Sequence, residues 1–236
     1  MQGTVVDEKS VVTGLLTTSQ PFAAFYNSQR AKMPTKITWV VGGAFESGMQ
    51  AYTYLQTNTV HLRQLPPFPN DAFIIAHELS GFLLQAQGFP ILVPKPGSPN
   101  PRDAALISGA LNTMLWTPLR DALLSDYGFN LGQQYSLYVK PFFDPTDRPQ
   151  PTDEADKFEK LYFYVQMVIY WEDVLGNEAP SEFQRVFDQA YPSLADQGHY
   201  TIAKIRTYAY DSPQKMKAFY SDILVASNLD SIIELR

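Results

Sequence analysis

The most regular run of hydrophobic positions lies in residues 70–90, NDAFIIAHELSGFLLQAQGFP. Its apolar side chains cover most of a helical circumference, which predicts a buried helix over residues 72–87. Asn70 or Asp71 can cap the first free N–H groups of this helix. Gly88 stands where a left-handed residue commonly ends a helix. We therefore expect a central helix around which the rest of the chain is organised.

Two ionisable residues, His77 and Glu78, interrupt this apolar run. Burial of a polar or charged side chain costs free energy unless hydrogen bonds or a bound group satisfy it. The pair is thus the first candidate for chemistry in the chain, although hydrogen bonding within an ordinary protein interior would also account for it.

Before the central helix, the pattern predicts one or two helices in residues 8–33, with a break near Pro21. Three β-branched or aromatic stretches then predict short strands. These stretches are Lys36–Val41, Ala51–Gln56 and Thr59–Leu62.

After the central helix, the prolines of residues 92–101 predict a loop. A helix should follow from Pro101 to Tyr127, and Pro118 inside it predicts a kink or two helices. Residues 134–139 fit either a short strand or a helix. Beyond Pro151 the periodicity is helical throughout.

These elements predict a mostly helical α+β fold. A small antiparallel or mixed sheet of about three or four strands, within residues 36–63, should pack on the 72–87 helix. A helical C-terminal half should follow. We divide the chain into an α+β core, 1–140, and a helical region, 141–236. The aromatic helix faces suggest that the two pack as one unit, although the pattern leaves a separate second domain open.

Composition narrows the class of protein. The 236 residues are 45% hydrophobic and 14% aromatic, which is typical of a globular chain. The net charge is -6 and the basic residues are dispersed, so we expect no nucleic-acid partner. No apolar run approaches the roughly 18 residues of a membrane span. No secretory signal pattern is visible at the polar N-terminus, and we expect a cytoplasmic protein that does not bind membranes.

The residues His77-Glu78-Leu79-Ser80-Gly81 resemble the HExxH motif of zincin-type metallopeptidases, especially the gluzincins. In that motif two histidines one helical turn apart bind zinc, and the glutamate acts as general base on the metal-bound water. The order of elements, a helix, a short sheet and then the active-site helix, also resembles these enzymes. The resemblance covers roughly residues 8–130. It implies an edge strand beside the helix, for which Thr59–Leu62 is the candidate, with Thr59 and His61 lining the cleft.

The chain departs from this motif at the decisive position. Gly81 replaces the second histidine, and glycine has no side chain to bind a metal. The third ligand of the family would have to come from residues 101–127, where Asp121 is one candidate beside Asp103 and Asp126. His77 and Asp121 together would supply two protein ligands where catalytic zinc generally has three.

The sequence therefore favours a degenerate metallopeptidase-like protein, a pseudoenzyme without a cofactor. Its former cleft, with His77, Glu78, Thr59 and His61, would hold a protein or peptide partner. One alternative is an active zinc-dependent hydrolase that uses His77 and Asp121 as ligands and Glu78 as the catalytic base. Another is a structural or interaction protein unrelated to peptidases.

Overall fold

The structure, a computed structural model, describes residues 3–45, 49–132, 150–177 and 181–236. In these ranges the chain is mostly helical and contains two small sheets, which confirms the predicted fold class. The chain forms two compact units, the first of Met1–Gly88 with Leu123–Phe129 and the second of Phe89–Ala122 with Asn130–Arg236. The predicted boundary at residue 140, like the element predicted at 134–139, lies outside the described residues.

The first unit combines helices with a four-stranded sheet. Its elements are β1 (Thr4–Val6), α1 (Glu8–Thr18), α2 (Gln20–Gln29), β2 (Thr38–Val41), β3 (Ala51–Tyr54), β4 (Thr59–Leu62) and α3 (Asp71–Ala86). Short 3-10 turns follow α2 at Arg30–Lys32 and β3 at Leu55–Thr57.

The sheet of the first unit is mixed, in the order β1-β2-β4-β3. β2 and β4 are parallel, whereas β1 and β3 are antiparallel to their neighbours. The prediction that Thr59–Leu62 is the edge strand was wrong. The 3-10 turn and the left-handed Asn58 (φ 49°) fold β4 back along β3, and β2 pairs with the other side of β4. β3 is therefore the edge strand beside β4.

The helix α3 confirms the predicted central helix. Ile75, Ala76 and Leu79 are fully buried, and the helix packs against α2 and β3. Asn70 precedes it in a left-handed conformation without a side-chain cap, whereas the Asp71 carboxylate accepts the Ala72 N–H at 2.7 Å. Gly88 follows the helix with φ 83°, as predicted.

The second unit is built mainly of helices. The elements that follow α3 are β5 (Leu92–Pro94), α4 (Pro101–Ser125), α5 (Glu154–Ile169), α6 (Ser181–Ala190), α7 (Pro192–Tyr208), α8 (Pro213–Ala226) and β6 (Ile233–Leu235). Residues 123–125, the last of α4, belong to the first unit. A π-helical turn, Tyr170–Val174, continues α5. None of the helices in the described ranges is long and apolar enough to cross a membrane.

In this part of the chain, two local predictions were wrong and one alternative of a third is excluded. The helix α4 runs through Pro118 without interruption, so the alternative of two helices fails. The predicted loop begins with β5, and the helical C-terminal region ends with β6. The two strands pair antiparallel, with Leu92 opposite Leu235. The Asn112 side chain of α4 also bonds the N–H and C=O of Leu92, at 2.9 and 2.8 Å.

Candidate functional site

Glu78 lies where α3 packs against the edge strand of the sheet. Its carboxylate accepts a hydrogen bond from the Thr53 hydroxyl of β3 at 2.7 Å. Only 9% of Glu78 is exposed. Thr53 stands opposite Val60, which is fully buried, so both residues belong to the sheet face that meets α3. This hydrogen bond provides one of the partners that a nearly buried carboxylate requires.

His77 lies one residue earlier on α3 and is half-buried. Its ring centroid is 6.0 Å from that of Phe73, which in turn contacts Phe129 edge to face at 5.8 Å. The backbone oxygen of His77 accepts a hydrogen bond from the Ser80 hydroxyl at 2.7 Å. The histidine of the motif thus lies beside aromatic rings in the first unit.

Thr59 and His61, which the sequence assigns to the cleft, lie on the other face of the sheet. Along β4 the buried Val60 and Leu62 alternate with these two residues, and alternate side chains point to opposite faces. His61 stacks on Tyr52 of β3 with ring centroids 4.6 Å apart. Burial lowers the pKa of His61, which favours the neutral imidazole. The structure therefore separates Thr59 and His61 from Glu78.

The two predicted metal ligands belong to different compact units, His77 to the first and Asp121 to the second. Asp121 is nearly buried on α4. In the ranges that the structure describes, no three His, Cys, Asp or Glu side chains are grouped so that they could hold a metal ion. Gly81 is buried within α3.

Sequence reasoning missed Thr53 as a site residue. The stretch Ala51-Tyr52-Thr53-Tyr54 does place its one aliphatic hydroxyl, that of Thr53, between two tyrosine side chains. Alternation alone shows that Thr53 and the tyrosines face opposite sides of the sheet, but not which side meets α3. That assignment requires the pairing of Thr53 with Val60.

The edge strand β3 offers backbone groups for pairing. The Arg63 N–H bonds the Gln50 oxygen at 2.8 Å, which makes these two residues a hydrogen-bonded pair at the start of the β3–β4 ladder. Such pairs alternate along an antiparallel ladder, so the N–H groups of Ala51 and Thr53 point away from β4. No other strand within the described ranges pairs with this side of β3.

Comparison of the chain with protein-family models, with curated proteins and with solved structures finds no match. The geometry of α3 and β3 and the residues 77–81 are accordingly the basis for a functional proposal.

Proposed function

We propose that this chain is a zincin-like protein that lacks a competent metal site and binds an extended peptide or protein segment at the edge of its sheet. The observation that carries the proposal is the antiparallel edge strand β3, which lies against α3 and bonds Glu78 through Thr53. In zincin-like enzymes the corresponding edge strand takes the substrate by strand addition. A protein that has lost the chemistry can retain that mode of binding.

The residues of α3 support binding rather than hydrolysis. Gly81 provides no metal ligand at the position of the second histidine. A general base must reach the proton that it removes, directly or through one water molecule. Glu78 is nearly buried, and its carboxylate already accepts the Thr53 hydroxyl. We therefore assign Glu78 a role in fixing the edge strand against α3, and the protein needs no cofactor for this function.

The pairing groups of β3 specify how a partner would bind. An added strand would accept hydrogen bonds from the outward N–H groups of Ala51 and Thr53. Its side chains would alternate between the face of Thr53 and the face of Tyr52 and Tyr54. Tyr54 is 53% exposed and its ring is 5.3 Å from that of Tyr52, which provides an aromatic surface for cross-strand contacts.

The substitution Ala51→Pro tests this proposal because proline removes one outward N–H and leaves the ladder to β4 intact. Peptides selected from a random displayed library on the immobilised wild-type chain would be titrated against the variants in solution. We expect Ala51→Pro to weaken binding about tenfold or more, the loss that follows from one unmade backbone hydrogen bond and a clash.

The matched control is Ala51→Val, which keeps the N–H and suits a strand. It should bind the selected peptides with nearly wild-type affinity. If Ala51→Pro retains the CD spectrum of the wild type and binds equally well, or if the selection returns no binding peptides, the proposal fails.

A further inference from the structure

The face of the sheet that lies opposite α3 carries a group of aromatic rings beside the edge strand β3. Tyr52 is at its centre, with its ring centroid 4.6 Å from that of His61 and 5.1 Å from that of Phe45. The Tyr54 ring contacts Tyr52 and His61 edge to face, at 5.3 and 5.4 Å. These four rings, the outer aromatic cluster, extend from β4 to the open edge of the sheet.

Tyr54 is the most exposed member of this cluster. It is 53% exposed, whereas the other three rings are half-buried. A strand that pairs with β3 would cover part of the Tyr54 ring. Removal of this aromatic surface from water would favour binding.

The register of the β3–β4 ladder determines how an added strand would meet the rings. The N–H groups of Ala51 and Thr53 point outward, so those of Tyr52 and Tyr54 point to β4. An antiparallel partner is the more stable arrangement per residue. Its residues opposite the two tyrosines would form non-hydrogen-bonded pairs, in which Cα atoms are about 4.5 Å apart rather than about 5.5 Å. The closest cross-strand contacts therefore fall on the aromatic face.

The face of β3 that meets α3 offers an added strand less contact. Its side chains there are those of Ala51 and Thr53, both small. The Thr53 hydroxyl already bonds the Glu78 carboxylate at 2.7 Å. The side chains of β3 that can distinguish one partner from another are therefore Tyr52 and Tyr54.

The outer face of β3 and β4 is uncharged. Its residues in the two strands are Tyr52, Tyr54, Thr59 and His61. Burial lowers the pKa of His61, which keeps its imidazole neutral at ordinary pH. A charged side chain on the added strand would lose hydration against these rings without meeting an opposite charge on these four residues.

We infer that the partner of this edge is an extended segment with aromatic side chains at alternate positions, and that Tyr52 and Tyr54 select it. The inference rests on the proposed function, because it names the class of segment that β3 binds. Aromatic rings opposite the two tyrosines would continue the outer aromatic cluster across the new pair of strands. Such cross-strand pairs of rings stabilise a sheet beyond the area that they bury.

Peptides selected from a random displayed library on the immobilised wild-type chain provide the first test. Aromatic residues should be enriched at two positions separated by one residue. Each peptide is then compared with an analogue in which threonine, also a favourable strand residue, replaces the aromatic residues. The wild-type protein should bind the analogue about two- to fivefold more weakly for each ring removed.

The substitution Tyr54→Thr removes a ring from the protein instead. It should weaken binding of the aromatic peptides about two- to fivefold and leave binding of the threonine analogues nearly unchanged. Tyr54→Phe retains the ring and should bind both like the wild type. The control Tyr200→Ala removes a tyrosine of the second unit that is 42% exposed, and it should change neither affinity.

Two results would overturn the inference. One is enrichment of basic, acidic or aliphatic residues at the alternate positions in place of aromatic ones. The other is binding of the aromatic peptides to folded Tyr54→Thr as tightly as to the wild type. If Ala51→Pro weakens binding in either case, strand addition stands and only the aromatic preference fails. If Ala51→Pro has no effect, or if no peptide is selected, the proposed function fails and this inference fails with it.

Discussion

At the scale of single residues, Glu8 forms an ion pair with Arg30 in the first unit. Arg30 donates to it through Nε at 2.6 Å and through Nη2 at 2.8 Å, and the Tyr26 hydroxyl donates at 2.5 Å. Burial by itself would raise the pKa of Glu8. The hydrogen bonds from Arg30 and Tyr26 outweigh burial and lower that pKa below the usual 4.5. These contacts join the start of α1 to the end of α2.

We predict that Glu8→Gln lowers the free energy of unfolding by about 1 kcal/mol at neutral pH, because Arg30 loses its charged partner. A carboxylate with a lowered folded-state pKa stabilises the protein above its unfolded-state pKa. That contribution is lost as the pH falls through the folded-state value. The difference between the variant and the wild type should therefore shrink below about pH 4.5. Urea unfolding at a series of pH values measures it.

The control for this measurement is Glu182→Gln. Glu182 is 67% exposed and pairs with Arg185 only at 3.5 Å. Exposed pairs of this kind contribute little, so the control should leave the stability almost unchanged at every pH. Equal effects of the two substitutions would contradict the role assigned to Glu8.

At this scale, the sequence identifies candidate site residues but not the contacts that they make. The apolar surroundings of Glu78 in the sequence mark it as a polar group that needs a partner. The sequence does not reveal that Thr53 is that partner, because the contact depends on the pairing of β3 with β4 and on the packing of α3. His61 illustrates the same difficulty. The sequence of β4 does not show which face of the sheet His61 lies on, because that depends on how the strands pair and which face packs against α3.

At the scale of elements, the contact between α5 and α7 depends on a glycine. Gly198 of α7 faces Tyr164 of α5, whose ring stacks on Phe187 at 3.9 Å and 6°. A Cβ at Gly198 would lie 3.1 Å from Tyr164 Cε1 and 3.4 Å from Phe187 Cε1. The absence of a side chain at this position therefore permits the two helices to pack closely around stacked rings.

We predict that Gly198→Ala lowers the free energy of unfolding by about 1 kcal/mol, because the cost of displacing Tyr164 from its stack exceeds the helix propensity that alanine adds. Chemical denaturation monitored by tyrosine fluorescence measures the loss. The matched control is Gly14→Ala in α1, where a Cβ meets no other atom within 4 Å. Alanine should stabilise that helix by about 0.5–1 kcal/mol. A stabilising effect of alanine at both positions would refute the packing role of Gly198.

The sequence predicted those helices and strands whose residues carry local signals, such as caps and periodic apolar positions. Ser212, for example, precedes α8 and caps it through the Lys215 N–H, so its start can be read from the chain. β1, β5 and β6 have three residues each, and their pairing partners are distant in sequence. A three-residue strand has almost no periodicity of its own, and its identity comes from the strand beside it.

At the scale of the whole molecule, the mostly helical α+β class could be predicted because long amphipathic helices and β-rich stretches are separated along the chain. The order of strands could not. β3 and β4 have four residues each, and only the hydrogen-bonded arrangement makes β3 the edge. The proposed peptide-binding edge is therefore Ala51–Tyr54, and not Thr59–Leu62 as the sequence predicts. The helix α3 is central in both the prediction and the structure.

The most direct test of the proposed metal-free, zincin-like site is the zinc content of the full-length chain. The purified protein would be incubated with equimolar zinc, desalted and analysed by inductively coupled plasma mass spectrometry. Because Gly81 supplies no ligand, we predict well under one zinc per chain, in wild-type protein and in His77→Ala alike. One zinc per wild-type chain that is lost in His77→Ala would contradict the account.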